Sequence, residues 1–283
     1  MWRIFAIAAA ALVPCLSNAD GQGADSAPPV EEPALKLSGW VNPEFESAHI
    51  TRGRIKVLDP VWNLDCGLRV DTRDFGYLLC GFWSESDLTD HYSDTRRWYF
   101  SEIDPIVCCG YKYAFAEGWS ADARLGLQWN WMEGYEGARR RSYDEWRWML
   151  SLKTPWLTAY VLTRTFYYPY YAMAFKTGVR SSIPLFGKLT FDPNVWFDGG
   201  SERWNRRRFG AHTESHPDYR AGPNSISVQL FLSYRFTPSL RAYGGITQYV
   251  AIDPTVRDQV EANPARTARR ELLVATAGIA YSF

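Results

Sequence analysis

The chain ends on an aromatic residue with nothing polar behind it, and no other feature restricts the fold so much. From Leu272 to Phe283 the residues alternate. Leu273, Ala275, Ala277, Ile279, Tyr281 and Phe283 share one strand face; Leu272, Val274, Thr276, Gly278, Ala280 and Ser282 share the other. The closing strand of an outer-membrane barrel needs that pattern, because its apolar face meets hydrocarbon and its aromatics sit at the interface. The competing reading is an edge strand of a soluble sandwich, which would leave a terminal Phe and a nearby Tyr in water. Tyr281 and Phe283 are therefore expected to form the membrane-assembly signal.

The other end agrees. Met1-Trp2-Arg3 carries a positive charge, Ile4 to Leu16 is apolar but for Pro14, and Ser17-Asn18-Ala19 suits a cleavage site. Residues 1–19 read as a secretory signal peptide, too short for a bilayer anchor. Pro14 directly before Cys15 argues against lipoprotein processing. Residues 20–34, with Gly, Ala, Ser and a Pro-Pro pair, read as a flexible leader without a core of its own. The remainder, 35–283, reads as one barrel domain. Removing Arg3 leaves 30 basic against 31 acidic side chains, a net charge of −1, which gives no reason to expect a nucleic-acid partner.

Composition separates a barrel from a helical membrane protein. The chain is 46% hydrophobic and 16% aromatic, yet its mean hydropathy is −0.30. Outside the signal there is no apolar run of about 18 residues, so a transmembrane helix is not available. A barrel reconciles these facts: only alternate residues need be apolar, the lumen stays polar, and aromatics girdle both interfaces.

Breaks in the alternation come in two kinds. Tight ones fall at Thr72-Arg73-Asp74, Glu117-Gly118, Thr154-Pro155, Pro184-Leu185 and Thr237-Pro238. Long polar ones fall at 54–59, 86–96, 132–144, 167–170, 199–223 and 253–266. The two kinds alternate strictly, matching short periplasmic turns and longer extracellular loops. They bound strands at roughly 37–53, 61–71, 75–85, 98–114, 119–131, 145–153, 156–166, 171–183, 188–198, 225–236, 239–251 and 268–283. The expected fold class is all-β: a transmembrane antiparallel β-barrel of about twelve strands closed by a C-terminal strand ending in Phe.

The first half carries a further pattern. The run Glu46-Ser47-Ala48-His49-Ile50-Thr51-Arg52-Gly53-Arg54-Ile55 is followed by Asp59-Pro60 with Gly67-Leu68. Then come Phe75-Gly76-Tyr77 through Gly81-Phe82-Trp83-Ser84, and Glu102-Ile103-Asp104 with Gly110-Tyr111. Over about residues 37–135 this resembles the TorF family of outer-membrane porins. The resemblance implies the barrel fold and a transport role, but no particular substrate.

Reading the polar faces as luminal gives an uneven charge map. The residues expected to line the pore are Glu44, Glu46, Arg52, Asp65, Arg69, Glu102, Asp104, Asp122, Arg124, Arg147, Lys153, Arg164, Lys176, Arg180, Lys188, Arg235 and Arg241. Acids, Asp71 among them, concentrate in the first five strands and bases from the sixth onward, so the two sets are expected to face each other across the lumen. Such a transverse field would orient and filter polar solutes. The alternative is that the charges interlock and fill the barrel, since twelve strands lie between the packed eight-stranded and the open sixteen-stranded sizes. Glu102 and Asp104, two apart on one face, are expected to be salt-bridged, with Arg52, Arg69, Lys112 and Arg124 as candidate partners.

Catalytic and metal readings are weak. The four His are His49, His91, His212 and His216. No strand offers the Ser–His geometry that a barrel phospholipase needs, and Asp90-His91 near Asp87 reads as a solvated loop pair. His212 and His216 lack the helical setting and the Glu placement of a zinc motif. Cys66 and Cys80, symmetric about the turn near Arg73, are expected to lie opposite each other. Neither they nor Cys108-Cys109 suggest a disulfide framework.

The expectation is a porin-like outer-membrane channel for small polar or charged solutes, with weak anion preference and no cofactor or enzymatic activity. Its expected partners are outer-membrane lipid, the barrel-assembly machinery and its solutes. The alternatives are a closed structural or binding barrel with a charge-filled lumen, and an outer-membrane hydrolase. The loop at 199–223 should be surface exposed, so an epitope tag inserted near Gly210 should be reached by antibody on intact cells. Antibody access to tags near Pro155 or Pro238 instead would invert this topology.

Overall fold

The computed structural model describes residues 35–52, 54–72, 75–89, 100–132, 142–168, 170–209, 219–262 and 269–283. The signal and leader assigned to 1–34 lie outside these residues, as do Asp90-His91, Gly210 and His212 to His216. Twelve antiparallel strands form a closed ring: β1 (Leu35–Glu46), β4 (Val61–Thr72), β5 (Gly76–Asp87), β6 (Phe100–Ala116), β7 (Trp119–Met132), β8 (Ser142–Lys153), β9 (Thr158–Tyr168), β10 (Ala172–Arg180), β12 (Leu189–Gly200), β13 (Gly222–Arg235), β14 (Leu240–Ala251) and β15 (Glu271–Ser282). Each pairs with its neighbours in sequence, β10 pairs with β12, and β1 closes the ring on β15.

Between β1 and β4 the chain makes a small separate hairpin, β2 (His49–Thr51) and β3 (Arg54–Val57). A two-residue strand, β11 (Ile183–Pro184), edges β12. Two short helices, α1 (Glu202–Phe209) and α2 (Pro254–Ala262), follow β12 and β14. The hairpin corrects the expected first strand. The run 37–53 does not continue as one strand: β1 ends at Glu46, and Arg52 takes a left-handed turn at φ 52°.

Cross-strand partners share a face, so the ladders sort inside from outside. In β13, Ile226, Val228, Leu230, Leu232 and Tyr234 point outward, while Ser225, Ser227, Gln229, Phe231, Ser233 and Arg235 point inward. Outward residues such as Trp62, Trp146, Trp148, Leu150, Leu232 and Tyr281 are exposed because lipid, not protein, is their solvent. The inner wall is not purely polar: Trp40, Trp83 and Trp196 stand on it. Some of its aromatics lie flat on glycines. A Cβ at Gly67 would collide with the Trp40 ring, and one at Gly278 with the Tyr243 ring. These glycines let bulky rings hug the wall instead of filling the lumen.

The cysteines follow the ladder. Cys80 pairs with Leu68 and Cys66 with Phe82, so the two sit diagonally on the outer face and not opposite each other. The register runs from Thr72 paired with Gly76, which displaces the pairing by two residues from the expected symmetry. Cys66, Cys80, Cys108 and Cys109 are all free thiols.

At the seam, Phe283 and Gly39 exchange backbone hydrogen bonds, N to O at 3.1 Å one way and 2.9 Å the other. The Phe283 ring lies over Gly39 on the lipid side, 6.0 Å from the Tyr281 ring. Phe283→Asp would put a charge on the lipid face of the last rung, at a cost of about 1 kcal/mol or less near an interface. It is expected to lower the yield of heat-modifiable barrel in outer-membrane fractions; a wild-type yield would show that the terminal ring has no part in assembly.

Candidate functional site in the barrel lumen

The hairpin folds into the end of the barrel that carries the long connections, the extracellular end by the loop-length rule. Its cations meet the acidic wall. Lys56 Nζ donates to Glu85 Oε1 at 2.5 Å and also to Glu102 Oε2, whose side chains are only 1% and 4% exposed. His49 Nδ1 bonds Glu46 Oε2 at 2.6 Å, its Nε2 lies 3.6 Å from Glu85, and its ring stacks on Trp83 at 5.4 Å. Burial alone would lower the His49 imidazole; the Glu85 and Glu46 carboxylates overcome that and hold it above its ordinary value.

Arg52 crosses to the other side. Its Nη2 donates to Asn130 Oδ1 at 2.6 Å and stands 3.4 Å from Glu145, a fully buried carboxylate that also lies 3.6 Å from Arg164. Gln128 continues the chain of polar groups: its Nε2 donates to Asn130 Oδ1 at 2.8 Å and to Asp104 Oδ2 at 2.6 Å, and its Oε1 accepts from Arg147 at 2.5 Å.

Apolar packing seats the hairpin. Ile55 joins Tyr249, Ala251 and Val256 of α2 in one buried cluster, with Ile50 and Leu58 against it. Trp204 of α1 stacks on Phe166 at 4.6 Å, and the Arg52 guanidinium lies 5.5 Å over that same Phe166 ring. The start of the segment after β12, expected to be surface exposed, therefore turns inward at α1.

Below the hairpin lies a cavity of about 330 Å³, walled by Arg52, Asp65, Trp83, Glu102, Asp104, Gln128, Arg147, Arg164 and Lys176 among others. Towards the end with the short turns a wider vestibule of about 630 Å³ opens, with Lys153, Arg180, Asp192, Asn194, Gln229, Arg241 and Tyr243 on its walls. Among the described residues, neither Lys153, Arg180 nor Arg241 makes an ion pair. Asp192 is held by Ser182 at 2.6 Å and by Ser233.

The register places Glu44, Glu46, Asp65, Arg69, Glu102, Asp104, Asp122, Arg124, Arg147, Lys153, Arg164, Lys176, Arg180, Arg235 and Arg241 on the inner face, with Lys188 at the rim. Arg52 reaches the lumen from the hairpin instead of from a strand. Their arrangement differs from the expected transverse field in three ways. Near the short turns the first-half charges cancel locally: Arg69 with Asp71 at 2.5 Å and Arg124 with Asp122 at 2.6 Å, both guanidiniums lying over the Tyr77 ring. Neither Arg69 nor Arg124 serves Glu102 or Asp104, because they stand several rungs away. Glu46 and Glu102 are bound by hairpin cations, and Glu44 accepts from Tyr243 Oη at 2.8 Å, so they do not answer Arg235 and Arg241.

Lys56, Glu85, Glu145 and the amides Gln128 and Asn130 are the residues the sequence did not single out. Lys56 sat in a stretch read as a polar break, and a loop that folds back inward leaves no mark in strand alternation. If Lys56 is the pin, Lys56→Met should destabilise the barrel by about 3 kcal/mol, because two buried carboxylates lose their shared cation. The gel unfolding temperature should fall, and Glu85→Gln with Glu102→Gln in the same chain should restore most of it. A Lys56→Met protein that melts like the wild type would mean that water already neutralises this corner.

No protein-family model and no curated protein matches the chain. Solved structures do. The fold is similar to the COG4313 outer membrane channel from Pseudomonas putida F1, with 9% identity and a TM-score of 0.50 over 89% of this chain and 97% of that one. It is also similar to the KdgM porin, at 11% identity and a TM-score of 0.46 over 87% and 99%. The outer membrane phospholipase A from Escherichia coli is a third, at 12% and 0.43 over 86% and 92%. At such identities the likeness to the Pseudomonas channel speaks for the fold alone: the chain is a closed twelve-stranded antiparallel β-barrel of the outer-membrane type.

Proposed function

We propose that the protein is a porin-like channel for small polar or charged solutes with a weak preference for anions. One observation carries this reading. The hairpin cations occupy the acidic wall, while the wall formed by β8 to β14 keeps its cations turned towards two cavities at successive depths. Fixed charge along a pore wall biases which ions pass, and among the described residues Lys153, Arg180, Arg241 and Lys176, turned into these cavities, have no ion-pair partner. The resemblance of residues 37–135 to the TorF porins supports the same role. The signal at 1–19 and the leader at 20–34 suit secretion to the outer membrane through the barrel-assembly machinery.

A second reading is a closed structural or binding barrel, and the packed hairpin with its α1 and α2 contacts favours it. A hydrolase comes third. His49 is engaged by Glu46, Glu85 and Trp83, and no hydrogen bond joins its ring to a serine or threonine hydroxyl among the described residues.

Planar-bilayer recording separates the first two. A conducting wild type should show a reversal potential of weak anion preference. Arg180→Glu with Arg241→Glu should shift it towards cations without loss of heat-modifiable barrel. An unchanged reversal potential would take these residues off the path, and silence in both proteins would favour the closed barrel.

A further inference from the structure

Three cations stand on adjacent strands in the middle of the lumen. Arg147 of β8 is directly opposite Arg164 of β9, a like-charge pair that costs stability in an antiparallel ladder. Lys176 of β10 is opposite Leu162, two residues along from Arg164. All three face the cavity of about 330 Å³.

Part of the counter-charge around them is engaged by other groups. Glu145 is shared between Arg164 at 3.6 Å and Arg52 at 3.4 Å. Across the cavity Glu102 is bound by Lys56, Asp104 accepts from Gln128, and Asp65 accepts from Trp40 and Asn42. Arg147 has one neutral partner, the Gln128 carbonyl oxygen. Lys176 makes no hydrogen bond and no ion pair among the described residues; it lies 4.5 Å over the Trp196 ring. Its cross-strand partner Asp198 accepts the Trp196 indole N–H at 2.8 Å instead. A lysine and a guanidinium edge with free donors, turned into one cavity beside a second guanidinium, match the geometry of a small oxyanion, which can take one bond from the lysine and a paired bond from an arginine fork.

We propose that Arg147, Arg164 and Lys176 form an oxyanion-binding site at mid-lumen that holds a phosphate or carboxylate group of a small solute. It rests on the channel reading only for its purpose, since the ligand would be a passing solute. The site itself stands on the three side chains and the cavity. Arg52 and Gln128 position it: they fix Glu145 and Arg147 from the far side, so the hairpin sets the shape of the site without closing on the anion.

Calorimetry on the full-length protein in detergent tests it, with inorganic phosphate and gluconate as separate probes and chloride as the control. Saturable one-to-one binding of phosphate or gluconate, with chloride weaker, is expected. The tighter of the two probes then identifies the group. Lys176→Gln should weaken binding about tenfold or more, the worth of a hydrogen bond to a charged group; Arg147→Gln with Lys176→Gln should abolish it. Lys176 supports no hydrogen-bonded neighbour, so the single variant should keep its heat-modifiable fold even where the double variant does not. No saturable binding, equal binding of chloride, or unchanged affinity in folded Lys176→Gln would each overturn the site. Binding in a protein that does not conduct would leave the site and remove the channel. Conductance without binding would do the reverse.

Discussion

Hydrocarbon offers no partner for a backbone N–H or C=O, and that constraint governs everything else in this molecule. A sheet in lipid must close on itself. Here it closes where β15 meets β1, with Trp40 opposite Ser282, Val41 opposite Tyr281, and Phe283 bonded both ways to Gly39. Once the ring is shut, each strand has one face for lipid and one for the lumen, and the period of two becomes a sorting rule. The exposed Leu150, Leu232 and Ile279 and the buried Ser225, Ser227 and Asn130 follow from that single requirement.

The same closure creates the electrostatic problem that shapes the inside. Glu85, Glu102 and Glu145 are nearly or fully buried, and a buried carboxylate without a counter-charge is costly. The chain answers from its own loop. Lys56 and His49 serve Glu46, Glu85 and Glu102, and Arg52 serves Glu145, so a nine-residue hairpin acts as a bound polycation. The hairpin is thus both a stabilising ligand of the acidic wall and the element that leaves the opposite wall basic.

How much of this was legible follows from what a period can encode. Strand alternation identified the ring, the lipid face of the closing strand and the inward Arg235 and Arg241, because each depends on neighbours in one ladder. It extended β1 through Arg52, because His49-Ile50-Thr51 is itself a short strand; only the third dimension shows that this strand pairs with Arg54–Val57 instead of with the wall. It also treated charge as a property of strands. The pairing of Arg69 with Asp71 two residues away, or of Lys56 with Glu102 forty-six residues away, depends on side-chain reach and loop path. Neither leaves a periodic signal.

The contrast between the acidic and the basic wall is joined by an ordering of cations along the barrel. Glu46, Glu85 and Glu102 are capped by the hairpin, Asp65 and Asp104 stay on the wall of the mid-lumen cavity, and Arg147, Arg164 and Lys176, then Lys153, Arg180 and Arg241, succeed one another towards the short turns. On the proposed channel reading, a solute anion would meet the three mid-lumen cations below the hairpin and then Lys153, Arg180 and Arg241 in the wider vestibule. That order suits entry past a narrow, selective level followed by release into a broad one. The like-charged Arg147 and Arg164 face each other at mid-lumen with the buried Glu145 and the amide of Gln128 offsetting part of their repulsion, and the proposed anion would offset more of it.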